Sequence, residues 1–241
     1  MHGAPDNYDV KPTNITNTLQ DDAELAIRLG AISSIDRLGN VIFADDFSNG
    51  KGSWLETAEG TGADVSINGD IFKFAGFSCK ITARSDDPYL ASIYNQLHYP
   101  DLSSMGFEIN FSRDSNVSYI LLPLSLYEGL TLRWSEIKID FANNKLQYLL
   151  NPTTYKDIAT GLRIPNIINI FQNLKLKVDF ITNHYINVRY NSTLYNLSDI
   201  PVYTENIVSH KHLRCEITPY SKPGTNGVTY LDSVIITRNE L

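Results

Sequence analysis

Long apolar runs, sulfur and positive charge are all scarce in this chain of 241 residues. No stretch approaches the ~18 apolar residues that a membrane-crossing helix needs, so no membrane partner is expected. Residues 1–17 are polar, hold Pro5 and Pro12 and contain no apolar core, and so do not read as a secretory signal. Only two cysteines occur, Cys79 and Cys215, too few for a disulfide framework and not at a metal-binding spacing. Their apolar surroundings suggest two buried reduced thiols. A bridge between them depends on geometry that spacing does not give.

Twenty Lys and Arg face 27 Asp and Glu, for a net charge of −7. A general nucleic-acid binder needs a basic surface to replace phosphate counterions, so no nucleic-acid partner is expected. No G-x-S-x-G, P-loop or G-x-G-x-x-G pattern is present, which removes the commonest signatures of hydrolase and nucleotide chemistry.

What the chain has in quantity is short alternating apolar segments. Hydrophobic residues make up 42%, ordinary for a globular domain. Phe107, Ile109 and Phe111 alternate with Glu108 and Asn110, and Leu174, Leu176 and Val178 alternate with lysines, the period-two pattern of half-buried strands. Residues 119–127 are almost wholly apolar and read as a central strand. Asn68-Gly69, Asn143-Asn144 and Asn191-Ser192 mark hairpin turns. The first of these predicts a strand over residues 70–74 facing one over 65–68. About a dozen short strands with turn residues between them indicate a sandwich or barrel.

The N-terminal segment differs. Residues 1–41 read as an extended arm with one short helix: Thr18 can cap it, Asp21, Asp22 and Glu24 suit its first turn, and Gly30 can close it. Leu25 and Leu29 fall one turn apart on this helix, with Ala26 and Ile27 beside them, and a helix so short must dock to persist.

Particular residues carry a resemblance. Asp46-Phe47 followed by Gly50, Gly52 and Trp54, the runs over 174–179, 185–191 and 194–198, and the run over 230–236 resemble the opening, late and closing strands of concanavalin A-like (laminin-G-like) jelly-roll domains. The resemblance implies an all-β fold, an antiparallel two-sheet jelly-roll sandwich over residues 42–241. Residues 22–47 resemble the start of certain bacteriophage structural proteins. That implies a non-enzymatic virion component, a head decoration or tail-associated protein. It would form a homo-oligomer and meet other virion proteins through its arm. Two alternatives stay open: a lectin-like, carbohydrate-binding module of a cell-surface or secreted protein, and a glycan-cleaving hydrolase.

Candidate chemistry is sparse. Trp54, Tyr127 and Trp134 are the rings that could stack on a sugar, although aromatics at strand spacing are more often core. Asp45, Asp46 and Asp232 lie on the first and last long strands, where the resemblance allows a structural calcium; no other cofactor is expected. Glycosidases of this fold carry acids at i, i+2 and i+4. Here Glu136, Lys138 and Asp140 break that pattern at its centre, and the outer two lie ~13 Å apart along a strand. His210, His212 and Glu216 would share a strand face and could ligate a metal given another ligand. An enzyme would need two of Glu108, Glu128, Glu136, Asp140 and Asp179 to converge in a groove.

Overall fold

The computed structural model describes residues 39–73, 76–84, 91–98 and 101–240. The helix expected around Leu25, Ile27 and Leu29 lies outside the described residues, as does the rest of the arm up to residue 38. Among the described residues the structure is all strand, turn and loop, and every pairing is antiparallel.

The strands are β1 (Asn40–Asp45), β2 (Leu55–Ala58), β3 (Asp64–Asn68), β4 (Ser78–Arg84), β5 (Ala91–His98), β6 (Ser104–Arg113), β7 (Val117–Tyr127) and β8 (Thr131–Asp140). They continue as β9 (Lys145–Asn151), β10 (Thr154–Ala159), β11 (Gln172–Asp179), β12 (His184–Tyr190), β13 (Thr193–Asn196), β14 (Tyr203–Asn206), β15 (His212–Ser221) and β16 (Asn226–Arg238). Two eight-stranded sheets result. The first runs β13-β12-β11-β6-β16-β4-β3, with β1 also on β16. The second runs β10-β9-β8-β7-β15-β5-β2, with β14 also on β8.

Alternation explains the layering. Phe107, Ile109 and Phe111 of β6, Leu174, Leu176 and Val178 of β11, and Leu231, Val234 and Ile236 of β16 are buried in one core with Ile120, Leu122, Leu124 and Leu126 of β7 and Ile137 and Ile139 of β8. Each large apolar side chain so buried is worth about 1.5–3 kcal/mol relative to exposure. The nearly all-apolar β7 lies between β8 and β15, at the middle of the second sheet. The closing strand β16 pairs with the opening strand β1, Asn40 opposite Arg238.

Two of the three hairpins expected from Asn signals form. Asn144 and Asn191 adopt positive φ (54° and 51°), the left-handed conformation that Asn tolerates better than most residues. The third expectation fails. Residues 70–73 are not a strand; β3 pairs directly with β4, Asn68 opposite Ser78. Asn68 Oδ1 instead accepts the backbone N–H groups of Asp70 (3.0 Å) and Ile71 (2.8 Å), turning the chain out of the sheet.

The two cysteines are free and buried, Cys79 on β4 of the first sheet and Cys215 on β15 of the second. Burial pushes both thiols up to about 12.

Candidate functional site

The outer face of the second sheet carries a groove of about 200 Å³, lined by Pro123, Ser125, Tyr127, Leu132, Trp134, Arg214 and Glu216. Strand register builds it. Across β8, β7 and β15, Leu132 lies opposite Tyr127 and Tyr127 opposite His212; one step along, Trp134 lies opposite Ser125 and Ser125 opposite Arg214. Glu136 follows opposite Pro123. Directly opposed residues share a face, so these side chains stand together. Ser125 is the smallest of its row, set between Trp134 and Arg214, and its short side chain leaves the depression that the longer neighbours wall.

The walls are braced. The Tyr127 ring stacks on His212 with centroids 4.2 Å apart and planes 10° from parallel. Trp134 meets Tyr203 of β14 edge to face at 6.4 Å. Arg214 Nη2 donates to Glu216 Oε2 at 2.8 Å, and its guanidinium carbon lies 4.1 Å from the Tyr94 ring centroid. Thr218 Oγ1 donates to the other Glu216 oxygen at 3.1 Å.

Beside the groove sits Glu136, only 2% exposed. Trp134 Nε1 donates to its Oε2 at 3.2 Å, and the Tyr155 hydroxyl donates to its Oε1. Burial pushes this carboxyl up to about 7; the bonds from Tyr155 and Trp134 pull it back, nearby Glu216 raises it and Lys138 lowers it. The Tyr155 phenol is raised in turn, by burial first and by Glu136 second. The Lys138 ammonium lies 4.4 Å above the Tyr119 ring and 5.1 Å from that of Tyr155.

Of the three rings singled out in the sequence, the structure brings Tyr127 and Trp134 into this one groove. Trp54 is elsewhere, 6% exposed, packed against Phe43 and Phe47. Its indole N–H donates to Asp45 Oδ2 at 3.0 Å, so it is a core ring with a satisfied polar end.

The acids proposed for calcium are not gathered. Asp45 uses Oδ1 on the Phe47 N–H and Oδ2 on Trp54, and burial raises its pKa. Asp46 turns onto the backbone N–H and hydroxyl of Ser48. Asp232 is fully buried and accepts the Lys73 N–H at 2.6 Å. His212 braces Tyr127, His210 is exposed in the preceding loop, and Glu216 is held by Arg214. Among the described residues no group of three or more His, Cys, Asp or Glu could hold a metal ion.

The carboxylates weighed for catalysis are dispersed. Glu108 contacts Asn173 in the first sheet, Glu128 pairs with Arg133, Asp140 caps the turn at Asn143, and Asp179 caps the turn at Ile181 and Thr182. Of the five, Glu136 lies opposite the lining residue Pro123, and Glu216, itself a lining residue, raises its pKa. Arg214, Ser125, Tyr203 and Tyr155 were not singled out in the sequence. The alternation His212, Arg214, Glu216 marks one face of β15, but only long-range register sets that face beside Tyr127 and Trp134.

No family model matches the sequence, and no curated protein sequence matches it. Solved structures do resemble its fold. A protein described as "Cellulose induced protein, Cip1" superposes with a TM-score of 0.56 at 11% identity, over 81% of this chain and 96% of that one. A conserved carbohydrate esterase from Shiga toxin-encoding bacteriophage phi24B gives 0.56 at 13% identity, over 84% of this chain and 100% of that one. An endo-β-1,4-glucuronan lyase from the fungus Trichoderma reesei gives 0.51 at 11% identity, over 83% and 96%. With its two antiparallel sheets, the chain is an all-β jelly-roll sandwich, the fold it shares with these structures.

Proposed function

We propose that this protein is a non-enzymatic, glycan-binding jelly-roll module that meets sugars with the outer face of its second sheet. The observation that carries the reading is the placing of Tyr127 and Trp134 in one groove with Arg214 and Glu216. Aromatic faces take the C–H side of a pyranose, and a few fixed polar groups take its hydroxyls; that is the usual make-up of a small-ligand site. The absence of catalysis is part of the proposal. Glu216 is tied to Arg214 and Thr218, and Glu136 to Trp134 and Tyr155, so both acids are engaged in bracing.

The setting we propose is a phage or phage-like particle, where the module is a head decoration or tail-associated protein and a homo-oligomer. The resemblance of residues 22–47 to phage structural proteins supports this, and the phage esterase with the same fold agrees with it. That esterase and the glucuronan lyase also act on carbohydrate by their names, which favours sugar as the ligand class.

A glycan array read with the wild type and with Trp134→Ala tests the function. Binding that is lost in the variant supports it. No binding by a folded wild type, or release of new reducing ends from bound glycans, overturns it. Co-sedimentation with particles and the oligomeric state by light scattering test the setting; a free monomer counts against it.

A further inference from the structure

We infer that Glu136 is the positioning residue of the groove: its two carboxyl oxygens hold Trp134 and Tyr155 and so fix the ring that a ligand meets. The inference rests on the glycan-binding reading and names the group that regulates that site. Trp134 and Glu136 are two residues apart on β8 and therefore project from one face. Tyr155 arrives from β10, with β9 between, so the carboxyl ties an edge strand to the groove wall.

Groups with charge or a titratable proton reach Glu136 from several elements. Lys138 shares its strand, and Tyr155 comes from β10. Glu216, Arg214 and Tyr220 come from β15, and Tyr119 comes from β7 beside Lys138. Tyr185, from β12 of the other sheet, accepts the backbone N–H of Glu136 at 2.9 Å.

Both of the carboxyl's side-chain partners are donors. An ionised carboxylate satisfies the two at once, through charge-assisted bonds of roughly twice neutral strength. Protonation puts a hydrogen on one oxygen. That hydrogen must turn toward the Tyr155 oxygen, and a weaker neutral pair remains. The change of state falls near neutrality, because burial has moved the carboxyl up to about 7. Above that pH the Trp134 ring is held firmly; below it the ring is looser. A neutral pyranose is accordingly bound more tightly as pH rises through this range.

The first test needs no ligand. Trp54 and Trp134 are the only tryptophans, so subtracting the emission of Trp134→Phe isolates Trp134. Its emission should titrate with a midpoint near 7 in the wild type and lose that transition in Glu136→Gln. Tyr155→Phe removes one bond that lowers the pKa, so its midpoint should move up; this variant serves if the first does not fold. A transition that persists unchanged in both variants, or is missing from the wild type, overturns the inference.

The array is then read with neutral oligosaccharides at about pH 6 and about pH 8, where a carboxyl of this pKa changes state. The wild type should bind ~3-fold or more tightly at the higher pH, and Glu136→Gln should show no difference. If the emission titrates and no glycan binds at either pH, the glycan-binding reading fails and the positioning role stands. If glycans bind with equal strength at both pH values, the positioning role fails and the glycan-binding reading stands.

Discussion

Lys175 Nζ lies 2.7 Å from Glu240 Oε1, and both side chains are sealed from solvent in the first sheet. Lys177, the next residue on that strand face, reaches the other oxygen of the same carboxylate at 2.9 Å. Gly106 of β6, opposite Lys177 in register, leaves the room: a Cβ there would come within 2.6 Å of Glu240 Oε1 and 2.3 Å of Thr237 Oγ1. Two cations converging on one buried anion form a unit whose members depend on each other.

Glu240→Ala should therefore destabilise the fold by about 3–5 kcal/mol, the range for removing one partner of a buried ion pair. Gly106→Ala should also destabilise, by about 1–3 kcal/mol, through overpacking. Urea denaturation followed by circular dichroism measures both. A change within the scatter of surface substitutions for Glu240→Ala would mean that the pair contributes nothing net.

Glu136 links stability to pH with a definite sign. Its folded pKa, about 7, is above the ordinary 4.5. The folded state holds the extra proton between those values, so stability falls as pH rises through that window. Glu136→Gln, which stays neutral, should match the wild type near pH 4 and exceed it near pH 8. The gain should be a few kcal/mol at most, since one pKa unit is about 1.4 kcal/mol. Equal urea midpoints at both pH values would show that burial does not penalise the charge.

Ring removal in the groove should weaken binding without unfolding. Tyr127→Ala also frees His212, its stacking partner. A loss of about 0.5–1.5 kcal/mol, or ~2- to 12-fold in Kd, is expected from an aromatic contact of this kind. Trp54→Phe should behave oppositely: it removes the indole donor from the half-buried Asp45 Oδ2, lowers the melting temperature and leaves glycan affinity unchanged. Isothermal titration beside a thermal melt separates the two effects.

Cys79 and Cys215 should resist a thiol reagent at pH 8 while the protein is folded. Burial holds both well above the solution pH, and the thiolate is the reactive form. Both should react on unfolding in denaturant. Rapid labelling of the native protein would indicate that one of the two is open to solvent.

Sequence and structure meet most closely where a signal is local. Alternation in β6 and β11 and the Asn turns after β8 and β12 are properties of a few neighbouring residues, and they are legible. The short strands β2, β10 and β14 lack that signal. Residues such as Thr154, Lys156 and Asp157 on β10 are exposed, so no buried face imposes a pattern on them. Asn68-Gly69 misled because a side-chain oxygen, rather than a second strand, took the next backbone donors. The groove was half visible. Tyr127 and Trp134 stand out by type, whereas Arg214 and Ser125 matter only through register between strands far apart in the chain. Trp54 has the same credentials as Trp134, and only burial tells them apart.

Because β1 lies against β16, residues 40 and 238 stand side by side on the first sheet, behind the layer that holds the groove. A circular permutant joining these ends by a short linker should keep the same core. A tether attached at either end would leave the groove-bearing face pointing away from its anchor.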